Sequence, residues 1–331
     1  MATRARLLKF IRGTFAAGVL VVTLMVMYPF DVLRLRHLSE YAVHVMFLWV
    51  VLSMFFLVLR REKMMWIALL AAAVLAIFLR ERSTIRLAAP VALTDRPTLT
   101  VGLFNTVNAD MLERAFLTKM IENSTDLLTV QEVNPRWRRL LLDSLGHLYP
   151  HVMEVQDLGT YGMLVFSRYA MERRDSFHVA DSPVLVGEVR IPGTPLPLNF
   201  VTTYIPPLMG AHTLQQQQAV LDSLGTYCDR FKRPLITLGA FNTVTWAPEM
   251  NTFLDQTLLQ ESRRGLGAFT EDDRFDMFDI QRDHILYSNH LNRLDFRALD
   301  YGAAVNRHGG FIGTYQFANT IDNAASSSAE F

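Results

Sequence analysis

Three apolar runs fill the first 80 residues and set the chain apart into two halves. Residues 13–30 (GTFAAGVLVVTLMVMYPF) follow Arg4, Arg6, Lys9 and Arg12. Residues 41–59 form a second run. Residues 64–79 form a third, shorter one, extended by Trp66 and flanking arginines. A helix needs roughly 20 apolar residues to cross a bilayer, with a lower limit near 17. The first run resembles a signal peptide in its charged start, but no small-x-small cleavage site follows it and two more apolar runs do. The pattern predicts three transmembrane helices within residues 1–82, at about 13–30, 41–59 and 64–79.

After a tether at 83–98, with Pro90 and Pro97, the rhythm changes to short apolar strands and amphipathic helices. Strands are expected at 99–104 and 126–130. Helices are expected at 109–123, through Met111, Leu112, Ala115, Phe116 and Met120, and at 135–145, opened by Pro135. Four strands follow at 149–155, 161–167, 185–191 and 198–203, separated by turn residues such as Pro192, Gly193, Thr194 and Pro195. A helix at 214–231 precedes a buried strand through Leu235, Ile236 and Leu238. Two late strands are expected at 283–288 and 310–317. Consecutive strands mixed with helices predict an α+β domain over 99–317, built as a two-layered sheet core. Residues 318–331, ending AASSSAEF, read as a disordered tail or an expression scar.

Composition sharpens this division. Half of the 331 residues are hydrophobic and the mean hydropathy is +0.18. Met1 to Ala88 holds 12 Lys+Arg and 4 Asp+Glu, leaving 20 and 28 of the totals of 32 and 32, so the remainder carries a net −8. An acidic domain is a poor match for a polyanion, and no nucleic-acid partner is expected. The flanks of the apolar runs give 7 Lys+Arg on the N-terminal side (Arg4, Arg6, Lys9, Arg12, Arg60, Arg61, Lys63) against 5 on the other (Arg34, Arg36, Arg80, Arg82, Arg86). That bias places the N-terminus in the cytoplasm and the domain outside, in the periplasm of a bacterial inner membrane. The single cysteine, Cys228, excludes an internal disulfide and reads as a packed thiol. Small residues at Gly18 and Ala71–Ala73 let helices approach closely, as for packing on a partner, though such residues are common in any transmembrane helix. Gln215–Gln218 reads as a solvated or ridge-forming stretch of its helix.

Polar residues stand at the strand ends. Asn105 ends the first strand, Gln131-Glu132 the second and Asn242 follows the central one. Asp283-His284 open a late strand and His308 precedes the last. Carboxylates, amides and histidines gathered in this way are the material of a hard-cation site that activates water. No nucleotide loop, thiolate cluster or serine nucleophile motif is present.

Taken in order, these motifs resemble the endonuclease/exonuclease/phosphatase superfamily, the DNase-I-like fold, over about residues 99–317. The resemblance implies a two-sheet sandwich after the three helices, in a layout similar to a membrane-anchored bacterial branch. It implies roles for Asn105 beside metal and phosphate, Glu132 as the main metal ligand, and Asp283 orienting a catalytic His308. Gly239-Ala240-Phe241-Asn242 matches the signature Gly-Asp-Phe-Asn, with Ala240 where the family has its acid. Tyr204 stands where the family has a phosphate-stabilising histidine, and Arg307 where it has a metal-linked carboxylate. A neutral tyrosine brings no positive charge. A lost general acid or base costs about 10²–10⁴ in rate. A cation in place of a carboxylate opposes a divalent metal. The expectation is a pseudoenzyme: a vestigial site that takes no cofactor (Mg²⁺ or Mn²⁺ if active), with Arg307 paired to Glu132. It would serve as a scaffold or binding subunit with an integral-membrane or envelope protein partner. The alternative is a metal-dependent phosphodiesterase or phosphatase on a lipid headgroup or similar ester. A nuclease is disfavoured by charge.

Overall fold

The computed structural model describes residues 2–29, 33–82, 93, 96–106, 113–156, 161–207, 209–231, 233–263, 268–269, 275–276, 280, 282–299 and 310–318. Three helices open the chain: α1 (Ala2–Met27), α3 (Ala42–Val58) and α4 (Glu62–Arg82). α1 and α4 each hold a stretch long and apolar enough to cross a membrane, and the second such stretch, His37–Val58, runs through a 3-10 turn into α3. The first helix ends before the expected run does, and the second is preceded by a short helix α2 (Leu33–Arg36) and a 3-10 turn (His37–Tyr41) that form a connector. Leu48, Val51, Met54, Leu70 and Ile77 point outward, as side chains facing lipid do. Ala68, Ala71, Ala72 and Leu75 are buried inside this bundle, so the small-residue face is largely consumed within the chain; Ala73 and Gly18 are exposed. The Trp49 indole donates to Thr23 Oγ1 at 3.1 Å between α3 and α1.

The domain is a sandwich of two six-stranded sheets. Its strands are β1 (Thr98–Asn105), β2 (Leu127–Gln131), β3 (His151–Val155), β4 (Met163–Ser167), β5 (Met171–Val179), β6 (Ser182–Val189), β7 (Leu198–Tyr204), β8 (Leu235–Ala240), β9 (Gln260–Glu261), β12 (Asp283–Tyr287), β13 (Leu291–Leu299) and β14 (Gly310–Phe317). A separate small hairpin pairs β10 (Ala268–Phe269) with β11 (Phe275–Asp276). One sheet runs β13-β14-β1-β2-β4-β3 and the other β5-β6-β7-β8-β12-β9. Helices α5 (Glu113–Glu122) and α6 (Pro135–Leu145) cover the first sheet; α7 (Ala211–Cys228) and α8 (Pro248–Thr257) cover the second. Helix α6 starts where Asn134 Oδ1 accepts from the Arg136 and Trp137 amides, with Pro135 at the first position.

Alternation along the strands builds the core. In β1, Leu99, Val101 and Leu103 face the other sheet, while Phe104 turns out against Phe116 and Trp137. In β8, Ile236, Leu238 and Ala240 point inward. The strands β5 and β13 and the helix α8 were not expected from the sequence. β5 has exposed polar positions and β13 alternates Leu, Asn, Arg, Leu, Asp, which conceals an edge strand behind a polar composition. Gln216 and Gln217 correct the expected solvated stretch: both are buried. The Gln217 amide donates to the Phe241 and Asn242 carbonyls at 3.3 and 3.4 Å, and Gln216 donates to Ser182 Oγ at 3.3 Å. Their amides serve the loop ends of the sheet that α7 covers. Cys228 is buried and burial pushes its thiol up to about 12, as a packed thiol requires.

Two features fix the end of the sandwich where the polar residues gather. Gln131 lies wholly between the sheets. Its Nε2 donates to Thr203 O at 2.7 Å and its Oε1 accepts from the Ala240 amide at 2.7 Å, so one side chain ties β2 to β7 and β8. Gly239 has φ +149°, and a Cβ there would meet Thr203 O at 2.0 Å and Gln131 Nε2 at 2.7 Å. Only glycine fits that crossing. Behind β12, His284 Nδ1 pairs with a Glu261 carboxylate oxygen and Nε2 lies 2.8 Å from Thr243 O. The ring is thus held between a carboxylate and a carbonyl oxygen, both acceptors. Burial pushes the Glu261 carboxyl up, but His284 and Arg263 beside it hold it below its ordinary range.

Replacing Gln131 with Leu leaves Thr203 O and the Ala240 amide unpaired, and lowers stability by about 2–4 kcal/mol, measured by denaturant unfolding of the full chain in detergent. Glu261→Gln removes the buried carboxylate from His284 and Arg263 and costs about 3–5 kcal/mol. Because the folded carboxyl titrates below its ordinary value of 4.5, the carboxylate's contribution is complete above that pH and is lost as pH falls through the lower folded value. An unfolding series between pH 7 and pH 3 checks this: the parent chain loses stability over the acid limb that the Gln variant does not.

Candidate active site

Strand register assembles the site. β1 runs parallel to β2, with Asn105 opposite Gln131. β7 runs parallel to β8, with Tyr204 opposite Ala240, and Ala240 lies opposite Asp283 of antiparallel β12. The period of two turns Asn105 and Gln131 toward the second sheet and Tyr204, Ala240 and Asp283 toward the first. The expected residues Asn105, Glu132, Tyr204, Ala240, Asn242 and Asp283 therefore share one end of the sandwich. His308 and Arg307, with the expected Arg307–Glu132 pair, lie outside the described residues.

Glu132 follows β2 with φ +57°, a left-handed backbone that a non-glycine residue holds only at a cost. Its neighbours pin it there. Thr106 Oγ1 donates to Glu132 O at 2.6 Å, and the Val133 amide donates to Gly162 O at 2.9 Å. The turn aims the carboxylate across the cleft. Asn105 Nδ2 donates to Glu132 Oε1 at 2.8 Å. Tyr204, a residue only 5% exposed, lies beside the same carboxylate. Burial first, then the charges of Glu132 and Asp283, push the Tyr204 hydroxyl well above its ordinary value, so it stays protonated. The Tyr161 ring meets Tyr204 edge-on at 5.6 Å.

Asn242 also takes a left-handed backbone, φ +50°, which asparagine tolerates. Its Nδ2 donates to Ile205 O at 2.7 Å, and the amides of Phe241 and Asn242 both donate to Arg282 O at 3.0 Å. Asn242 thus ties the loops after β7 and β8 together. Asp283, 7% exposed, has Arg263 against its backbone: Arg263 Nη2 donates to Asp283 O at 3.3 Å. The Arg263 guanidinium lies 5.0 Å from the Phe311 ring and 5.8 Å from Phe296. Sequence reading missed Arg263, Gln217 and Tyr161. Arg263 lies 20 positions from Asp283 and carries no motif; only the β9–β12 pairing brings it there.

A divalent metal of the kind the motifs imply asks for several oxygen ligands, carboxylates foremost. Among the described residues, no group of three or more His, Cys, Asp and Glu is placed to hold one. Glu132, the expected main ligand, is engaged by Asn105 and Tyr204, and Ala240 puts a methyl in the middle of the row. The carboxylates that the motifs place at this end, among the described residues, are Glu132 and Asp283, with the Asn105 and Asn242 amides beside them.

A family model described as the Endonuclease/Exonuclease/phosphatase family matches residues 101–314. No curated protein matches the chain. Solved structures share the fold. The human Nocturnin catalytic domain with bound sulfate is 16% identical, with a TM-score of 0.53 over 67% of this chain and 94% of that one. An endonuclease/exonuclease/phosphatase from Beutenbergia cavernae is 15% identical, with a TM-score of 0.53 over 68% and 72%. A Bacteroides thetaiotaomicron family protein is 14% identical, with a TM-score of 0.51 over 68% and 99%. The motifs, the two-sheet topology and the family match agree: the chain belongs to the endonuclease/exonuclease/phosphatase family.

Proposed function

We propose that the chain is a membrane-anchored pseudoenzyme of this family, acting as a scaffold or binding subunit of an envelope complex. Its N-terminus lies in the cytoplasm and its domain in the periplasm of a bacterial inner membrane. The observation that carries this reading is the state of Glu132. The Asn105 amide donates to the carboxylate that would otherwise ligate metal, and buried Tyr204 stands beside it where the family has a histidine. Ala240, Tyr204 and Arg307 together remove an acid, a histidine and a further acid from positions that matter to the family's chemistry. The cleft keeps its shape through hydrogen bonds between protein groups, and a shape of that kind supports binding without turnover.

A second reading, a Mg²⁺- or Mn²⁺-dependent phosphodiesterase or phosphatase, is favoured by one observation: Glu132 and Asp283 both face the cleft, with the Asn105 and Asn242 amides beside them. It would take a lipid headgroup or a similar ester, with His308 as base.

Purified full chain with Mn²⁺ is expected to leave a generic phosphodiester intact. The triple variant Tyr204→His, Ala240→Asp and Arg307→Asp is expected to gain metal-dependent turnover. Turnover by the parent chain that vanishes in Glu132→Ala replaces the pseudoenzyme reading with the hydrolase. Calorimetric titration with Mn²⁺ is an independent check: the parent chain is expected to give no site-specific heat, and the triple variant to bind.

A further inference from the structure

The connector between the first two apolar helices grips the domain beside the cleft. Trp246 Nε1 donates to Ser39 O at 2.7 Å. Arg282 Nη2 donates to Glu40 Oε2 at 2.6 Å, and the other Glu40 oxygen lies 2.9 Å from His37 Nδ1. Arg36 and Glu249 approach to 3.6 Å. Ser39 and Glu40 are both buried in this contact, while Arg282 and His37 stay 32% and 36% exposed at its rim. Its location is specific. Arg282 immediately precedes Asp283, and its carbonyl holds the amides of Phe241 and Asn242. Trp246 and Glu249 lie where the loop after Asn242 enters α8. Every one of these contacts falls at the cleft end of the sandwich.

The tether gives an independent indication. Helix α4 ends at Arg82, yet Leu93 is fixed at the opposite end of the sandwich. Its amide donates to Gln316 Oε1 at 3.0 Å, and Gln316 pairs with Thr98, where β1 begins. The eleven residue steps from Arg82 to Leu93 span at most about 36–40 Å. The eight residues of β1 rise about 26 Å. Eleven steps are enough to cover the length of β1, which runs from the Leu93 end to Asn105 at the cleft end. Crossing parity agrees. The connector follows one crossing and the domain three, which puts both on the same side.

A third observation marks the surface itself. Met209, five residues beyond Tyr204, is 82% exposed at the cleft end. Leu196 and Leu258 are exposed at the far end, so exposure alone does not choose the face; the connector does, and Met209 reports it.

We infer that the cleft end of the sandwich lies against the bilayer, with Met209 at the lipid surface and the connector as the clasp that holds this pose. The inference rests on the membrane anchoring proposed above and is independent of whether the cleft turns over a substrate. Its consequence is geometric: the cleft opens toward the plane of the membrane, and a ligand reaches it from the headgroup layer or from a neighbour in the same membrane.

The test uses the full chain on a Cys228→Ala background, reconstituted in vesicles of phosphatidylcholine and phosphatidylglycerol with brominated acyl chains. A bimane label is placed at Met209→Cys or at Leu196→Cys, an exposed position two residues before β7 and therefore at the far end. Quenching at 209 and none at 196 is expected. Glu40→Gln combined with Trp246→Phe is expected to abolish the quenching at 209 while the chain stays in the membrane. Equal quenching at both positions, quenching only at 196, or none at either in a chain that resists carbonate extraction overturns the inference and leaves the anchoring intact. Full quenching at 209 in the double variant overturns the role given to the clasp. Extraction of the chain by carbonate overturns the anchoring and this inference with it.

Discussion

The whole site depends on one buried amide. Gln131 is the point at which the two sheets of the sandwich are pinned to each other, through Thr203 O on one strand and the Ala240 amide on the next. A sandwich held only by apolar side chains has no strong preference for one sliding register. A polar side chain without access to water does, because an unpaired donor or acceptor there costs more than most single apolar contacts contribute. The pin sits one residue before Glu132 and contacts the residue that occupies the signature acid position. Gly239 is the counterpart: the backbone comes so close to Gln131 that no side chain fits between them.

Around that pin, charge is balanced by protein groups. Glu132 is met by Asn105 and Tyr204. Asp283 has Arg263 at its back. Glu261 and His284 form a buried pair that also anchors the Thr243 carbonyl, and with it the loop carrying Asn242. Desolvated charges are stable only when geometry satisfies them on several sides. The Glu261–His284 pair meets that condition wholly within the protein. The same arrangement explains the unexpected burial of Gln216 and Gln217: they supply donors to carbonyls at the strand ends that the sheet itself does not satisfy.

The domain and the helices are continuous in their packing. Buried side chains run from Val26, Ala42, Val43 and Leu75 through Trp246 and Ala247 to Met250 and Phe253. The connector therefore belongs to the domain's foundation as much as to the helical region. A shift among the helices would reach the cleft through Arg282, whose side chain holds Glu40 and whose carbonyl holds the signature loop.

By itself, the sequence determined the two halves of the chain, the alternating strands of the core, and the ordered motifs that placed Asn105, Glu132, Asn242 and Asp283 at strand ends. These are local signals: hydrophobic period, turn residues and short motifs depend on neighbours a few positions away. The losses at Tyr204 and Ala240 were legible for the same reason. The tertiary structure alone decided that Gln131 is a strap, that Gln217 is buried, that Arg263 stands behind Asp283, and that Glu40 reaches Arg282 across 242 positions. The edge strand β13 was hidden because a strand covered on one face shows a polar composition. Side-chain burial and long-range pairing arise from register between distant strands, and no window of sequence carries that information. The physical reason is that a polar residue is equally at home in water or in a satisfied interior, and only the folded chain shows which partners are there to satisfy it.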